Sequence, residues 1–352
     1  MTRPVPLASS EPAARPRFRT TGEATYALAL RLGGLFVAII VVALLFYLLN
    51  PAFITGDVLI ALLRSMSSVA IMAIGLTFVV ICGEIDLSVG AMYGLAANML
   101  AALWILGGLS FYLSILAALA FAVAAGALHG IISTRLSIPS FIVTLGGYNV
   151  YYGLSLLVTN TITLNPAFPP AGHTVDKSEL SVFINLTKPI GDHQFSLEIF
   201  WMIILAAIFG LLLHRTLFGF RIIAIGGNPI AARLARLPVT RYKIMAFIIC
   251  SVLSAVAGIL DFSFIQSTQP DAGLAQTFPV FAAVVIGGTS LAGGKGTIIG
   301  TLGGALLLAE LQIGLALQTL GPYAQQLFVG FVTVGAVILD VTVTKLRARQ
   351  QL

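Results

Sequence analysis

The stretch "LIALLRSMSSVAIMAIGLTFVVIC", residues 59–82, carries a single charge, Arg64. About 20 apolar residues wound as a helix cross the ~30 Å hydrocarbon layer of a bilayer. This run is long enough, and its apolar residues are continuous. A transmembrane β-strand alternates instead and is about half as long. The stretch therefore reads as a membrane-spanning helix.

Runs of the same kind recur at roughly 32–49, 89–106, 111–130, 140–159, 197–214, 244–265, 278–290, 298–318 and 323–340. Of the 352 residues, 58% are hydrophobic and 9% are charged, with a mean hydropathy of +1.02. A water-facing surface needs more Lys, Arg, Glu and Asp than that. The expectation is an all-α polytopic membrane protein of about ten transmembrane helices. The first run follows Arg15, Arg17, Arg19 and Arg31, as a secretory signal would. It is too long for one, and "NPAF" (50–53) is a poor cleavage site, so it reads as an uncleaved first helix. Residues 1–25 lack periodicity and read as a disordered tail. Residues 26–342 form the transmembrane domain, and 343–352 form a second tail.

Basic residues mark the cytoplasmic loops of membrane proteins. With the first tail in the cytoplasm, ten spans return the chain there, so both termini are expected to be cytoplasmic. All Lys and Arg residues except Arg64, Lys177 and Lys188 then fall inside. The net charge of +6 thus follows from topology and asks for no nucleic acid. Residues 160–196 become a polar outer loop and 215–243 the largest inner loop. Cys82 and Cys250 lie within apolar runs and read as small core residues. His129 and His214 sit at run ends, and no His/Cys spacing suggests a metal site.

Two stretches echo each other: "VVICGEIDLSVGAMYGLAA" (79–97) and "VVIGGTSLAGGKGTIIGTLGGALL" (284–307). Each has a Val-Val-Ile start, a glycine break and a small-residue helix, which lets backbones approach closely. The inner loop holds "IGGNPIAARLARLP" (225–238). Asn228 suits an N-cap and Pro229 the first helical position. A helix of about two turns follows, closed by Pro238, with Ile230, Leu234 and Leu237 spaced for one face. Gly226 and Gly227 would supply the turn that presents it. So short a helix needs a surface, either lipid headgroups or a groove on a cytoplasmic partner.

"GFRIIAIGGNPIAARLARLPV" resembles the cytoplasmic coupling segment of the ribose-type sugar ABC-transporter permeases of bacterial inner membranes. "GEIDLSVGAM" (83–92), "AAVVIGGTSLAGGKGTIIGTLGGALLL" (282–308) and "VGFVTVGAVILD" (329–340) resemble further blocks of that family, in the same order. The resemblance runs from about residue 35 to 340. It implies a multi-pass permease paired with a second permease chain, either an identical copy or a paralogue. Its partners would be membrane lipid, an extracytoplasmic sugar-binding protein and a cytoplasmic ATP-binding cassette subunit that carries ATP-Mg. Gly226, Gly227, Asn228, Pro229, Ala231, Ala232, Arg233 and Leu234 would then form the ATPase-coupling segment, which favours the partner groove over lipid. Three departures stand out. Glu84 replaces a common Gly, Ala235-Arg236 replaces the usual Ser-Gly, and "AGLAQTFPVFAAVV" (272–285) lacks the usual Glu. They put the identity of the solute in doubt, not coupling.

A phosphate-cradling loop needs G-x-x-x-x-G-K-[ST]. The only Gly-Lys, Gly294-Lys295, has Thr289 and Gly296 where Gly and Ser/Thr belong. No nucleophile elbow or H-E-x-x-H occurs, so the chain reads as a transport subunit with no catalytic residue, metal or cofactor of its own. Charges inside spans are costly and mark function or pairing. Asp86 and Glu84 lie at the inner break between spans two and three, where Asp86 equally suits a cap for the helix starting near Ser88. Asp261 lies in the outer half of span seven, open to an outward cavity. Glu310 lies mid-span, facing the bundle and either paired from another span or protonated. Asn98, Phe281 and Gln312 suit a sugar path, as they equally suit interhelical contacts, and Gly287 and Gly288 suit gating. The alternative function is an ion-coupled secondary transporter of a small polar solute, with Asp261 or Glu310 as carriers.

Overall fold

In lipid a backbone N–H or C=O finds partners only within its own helix, so apolar runs of this length fold as helices. The computed structural model describes residues 21–191, 195–321, 323–332, 334, 335 and 338. Its helices are α1 (Thr21–Leu49), α2 (Gly56–Ile81), α3 (Val89–Ala101), α4 (Phe111–Arg135), α5 (Ser140–Thr159), α6 (Lys177–Asn185), α7 (Leu197–Arg215), α8 (Leu217–Gly227), α9 (Pro229–Leu234), α10 (Val239–Ile265), α11 (Thr277–Ile286) and α12 (Ile298–Leu317). A π turn over Ala102–Leu106 prolongs α3, and residues 323–332 are helical where the tenth span was expected. Among the described residues, α2, α3 with its π turn, α4, α5, α7, α10 and α12 are long and apolar enough to cross a membrane. The all-α, polytopic architecture is therefore the observed one. α1 begins inside the expected tail, at Thr21. The remainder of that tail, residues 1–20, and the C-terminal tail 343–352 lie outside the described residues.

The centre of the fold is α2, buried without interruption from Met66 to Ile81. α10 packs against it and against α3 and α4. Glycines set that spacing. A Cβ at Gly75 would press on the Cys250 backbone, and one at Gly126 on the backbone of Phe247 and Ile248. Outer faces of α1, α4 and α7 expose Val37, Ile40, Leu113, Leu116, Ile208 and Leu211. A soluble chain would hide such a belt; here it faces lipid.

Both long loops are more structured than their polarity suggested. In the outer one, α6 is capped by Asp176, whose carboxylate accepts from the Ser178 and Glu179 amides at 2.7 and 3.3 Å. These bonds, led by that from the Ser178 hydroxyl, hold the Asp176 carboxyl below its usual range. α6 seats Phe183 among Trp104, Phe111 and Phe262. Glu179 accepts from Trp104 Nε1 at 2.8 Å and from the Phe111 amide at 3.0 Å. The inner loop is helical through α8 and α9 and into the start of α10.

Candidate functional site

α10 ends where Gln266 takes a left-handed φ of 58°. The chain then turns down beside α3 without regular structure. The Thr268 backbone pairs with Leu164, and its hydroxyl donates to Asn98 Oδ1 at 2.7 Å. Asn98 Nδ2 donates to the Gln269 carbonyl at 2.9 Å and to Ser155 Oγ at 3.1 Å. Further down, Gly94 and Gly90 lie so close to Ala272 and Gly273 that a Cβ on either would collide with those carbonyls. Only then do a 3-10 turn (Leu274–Gln276) and α11 resume the helix.

This corrects the expected continuous span at 278–290. α11 has ten residues, about 15 Å, which is half a membrane. The 3-10 turn and the irregular residues 267–273 make up the rest. Irregular backbone at membrane depth is tolerated where it is buried in protein or lines a cavity. Here it does line one, of about 300 Å³, together with Tyr93, Ala97, Gly258 and Asp261.

Asp261 is the charged group of this cavity. Arg64 Nη2 donates to its Oδ1 at 2.6 Å, and the Tyr93 hydroxyl donates to its Oδ2. Arg64 lies 3.8 Å from the centre of the Phe264 ring, and its Nε is 3.4 Å from fully buried Glu198 without hydrogen-bond alignment. Two carboxylates thus share one guanidinium, the pairing that makes buried charge tolerable. Residue types and spacing pointed to Asp261 but not to Tyr93 or to Glu198, which stands at the start of the 197–214 run. An arginine in one span and a carboxylate at the start of another were the available signal.

The other expected path residues separate. Asn98 is fully buried behind the cavity wall, its amide spent on the descending segment. Phe281 packs, half-buried, against the main core. Glu310 is buried in α12; its Oε2 has no hydrogen-bond partner among the described residues, so the expected partner from another span is not found there. Gln312 is partly buried on the same helix. Asp86 acts as a local cap, accepting from the Ser88 amide at 2.9 Å and the Ser88 hydroxyl at 2.6 Å. The break it closes is pinned by α5, with the Ile85 amide on Ser140 Oγ and the Leu87 amide on Thr144 Oγ1. Glu84 pairs with Lys243.

The echoing stretches make the same turn. After α2, the Gly83 amide bonds to the Val80 carbonyl at 2.9 Å and the Glu84 amide to the Val79 carbonyl at 3.1 Å. After α11, Gly288 bonds to Val285 and Thr289 to Val284 at the same two distances. Each is a Schellman cap with a left-handed glycine, Gly83 at φ 75° and Gly288 at φ 84°. Gly287 sits beside the second cap, against Gly300 of α12. The breaks also touch, since the Gly294 amide donates to the Ile81 carbonyl at 2.8 Å. That N–H, in the one Gly-Lys pair of the chain, is therefore spent within the fold.

α9 stands at the same end. Asn228 Oδ1 accepts from the Ala231 amide at 2.9 Å, and Pro229 opens the helix. Ala232 and Leu237 turn inward, while Ala231 and Arg233 are exposed and Ile230 and Leu234 stand out at 72% and 82% exposure. Arg236 occupies the left-handed region at φ 60°, where the usual Gly of the resembling permeases would sit without strain. Gly226 and Gly227 are not the turn expected of them. Both belong to α8, and a Cβ on Gly226 would strike the Ile81 carbonyl and the Gly294 amide. The α9 surface and Asp261 lie near opposite ends of one helix, α10, about 30 Å apart.

A family profile described as "Branched-chain amino acid transport system / permease component" matches residues 58–337. The chain is 35% identical over 305 residues to the ribose import permease protein RbsC of Escherichia coli (strain K12), covering 86% of this chain and 92% of that protein. It is 36% identical over 312 residues to the Bacillus subtilis (strain 168) protein of the same name, covering 87% and 90%. With the fructose import permease protein FrcC of Rhizobium meliloti it shares 30% over 301 residues, covering 86% and 82%. No solved structure matches the chain.

Proposed function

The chain belongs to the family of branched-chain amino acid transport system permease components, and we propose that it forms the transmembrane path of an ATP-driven importer for a sugar or sugar-like solute. The observation that carries this reading is the half-irregular crossing at 267–273. It brings hydrogen-bonding residues, Ser267, Thr268, Gln269, Tyr93 and the acceptor Asp261, around one cavity. Groups of that kind suit the hydroxyls of a neutral polyol. The names of the relatives, which specify ribose and fructose import, agree with that chemistry.

The solute is delivered by an extracytoplasmic binding protein, and a second permease chain completes the path in a bacterial inner membrane. ATP-Mg is bound and hydrolysed on a separate cassette subunit, which grips the exposed apolar tip of α9, Ile230 and Leu234. Movement of α9 acts on α10 at one end, and α10 carries it to Asp261 at the other. Reconstitution with the cassette subunit and binding protein tests this. Ribose or fructose uptake should require ATP. Asp261→Asn should lower uptake at least tenfold while the complex assembles, a loss in line with leaving a site's hydrogen bonds unmade. Ala232→Glu, which buries a charge under α9, should lower uptake and ATPase stimulation together. Uptake that needs no cassette subunit and collapses with the proton gradient would replace this reading with the ion-coupled one.

A further inference from the structure

A groove of about 630 Å³ opens at the cytoplasmic edge, between the last turn of α4, α9 and the first two turns of α10. Its rim holds Arg135, Arg233 and Arg241, and its lining includes Leu237, Ile244 and Met245. No carboxylate lines it, and none of the three arginines forms a salt bridge among the described residues. The nearby carboxylate, Glu84, is already taken by Lys243. Three guanidiniums lining one groove repel one another unless an anion sits among them.

The order of residues along the helices says what kind of anion. On α4, exposed Ile131 lies one turn deeper in the membrane than Arg135. On α10, exposed Met245 lies one turn deeper than Arg241. Each arginine therefore stands at headgroup level above an apolar side chain that faces the acyl layer. The groove continues into the lipid-facing surface rather than closing against protein. Arg233 and Leu237 line it, whereas Ile230 and Leu234, the exposed tip of α9, do not. We propose that this groove binds an anionic phospholipid, its phosphate between the three arginines and an acyl chain along Leu237, Ile244 and Met245. The site would tie the coupling end of the molecule to the charge of the inner leaflet.

The test uses the purified full chain, phosphatidylglycerol as probe and phosphatidylcholine as control, read by native mass spectrometry. The wild type should retain phosphatidylglycerol in preference to phosphatidylcholine. The double variant Arg135→Gln/Arg241→Gln should bind phosphatidylglycerol about thirtyfold more weakly, the expected effect of removing two arginines at a membrane surface. An unchanged melting temperature would show that it is folded; both side chains are exposed. Equal retention of the two lipids, or of phosphatidylglycerol by wild type and variant, would overturn the proposal. So would a variant that keeps its lipid but no longer co-purifies with the cassette subunit, since the arginines would then hold a protein. None of these readouts depends on which solute is carried.

Discussion

Glu310 is only 5% exposed, within α12, and its Oε2 lacks a hydrogen bond among the described residues. An ionised carboxylate at that depth costs at least ~2.5 kcal/mol, and an unmade buried hydrogen bond about 1–3 kcal/mol. Glu310→Gln should keep the fold, and Glu310→Leu should stabilise the isolated permease by about 1–2 kcal/mol, read as a rise in melting temperature. A fall in stability with Leu would mean the carboxyl is satisfied within the folded permease after all. Reduced transport in a stabilised Leu variant would mean that it serves the path. At this scale the sequence revealed single residues better than their partners. Asp86 was legible as a cap because it bonds two positions along the chain. Asp261 was legible as a costly charge, but Arg64 and Tyr93 lie 197 and 168 positions away, and no local pattern encodes such a meeting.

Among the elements, periodicity and length gave the spans, because each is a local property of one run. What they missed were departures produced by packing. α11 stops after ten residues because Gly287 and Gly288 end it and because the segment before it is held by Asn98 and by the glycine face of α3. α6 was hidden by the polarity of its loop, although Asp176, Glu179 and the apolar residues after them had the form of a capped start. The segment 225–238 shows both outcomes. Asn228 and Pro229 begin a helix as their chemistry requires, whereas the two glycines before them serve contact. Gly226 fits between the Ile81 carbonyl and the Gly294 amide, so the end of α8 touches both glycine breaks at once. Gly226→Ala should force these apart, with an overpacking cost of about 1–3 kcal/mol, and should depress ATP-driven uptake. Gly227→Ala, whose added methyl meets open space, should behave like wild type in both melting and uptake assays. Equal effects of the two substitutions would show that the contact at Gly226 has no part in coupling.

For the whole molecule, the matching turns after α2 and α11 imply a direction as well as a likeness. The breaks after them touch each other and the end of α8. Both helices therefore descend to the same side of the membrane, and α3 and α12 both rise from it, as in a parallel repeat about an axis normal to the bilayer. α12 ends at Leu317, whose carbonyl accepts from Asn50 Nδ2 just beyond α1, so α1 ends on the opposite side from the breaks. α10 starts among the breaks and ends above the cavity, beside Leu164 and α6. α6 and α9 must then lie on opposite faces of the membrane, and the arginines around α9 identify its face as cytoplasmic. The native cysteines, Cys82 and Cys250, are both buried and should give no background to a thiol reagent. A cysteine at Ser178, exposed on α6, should react in intact cells with a reagent that cannot cross the membrane. One at Thr240, at the start of α10, should react only after the membrane is opened. Labelling of Thr240→Cys from outside, or of both alike, would break the link between the α2–α3 and α11–α12 repeat and the charge asymmetry. The assignment of the outer cavity to solute entry and of α9 to the ATPase would fall with it, because each requires its own side of the bilayer.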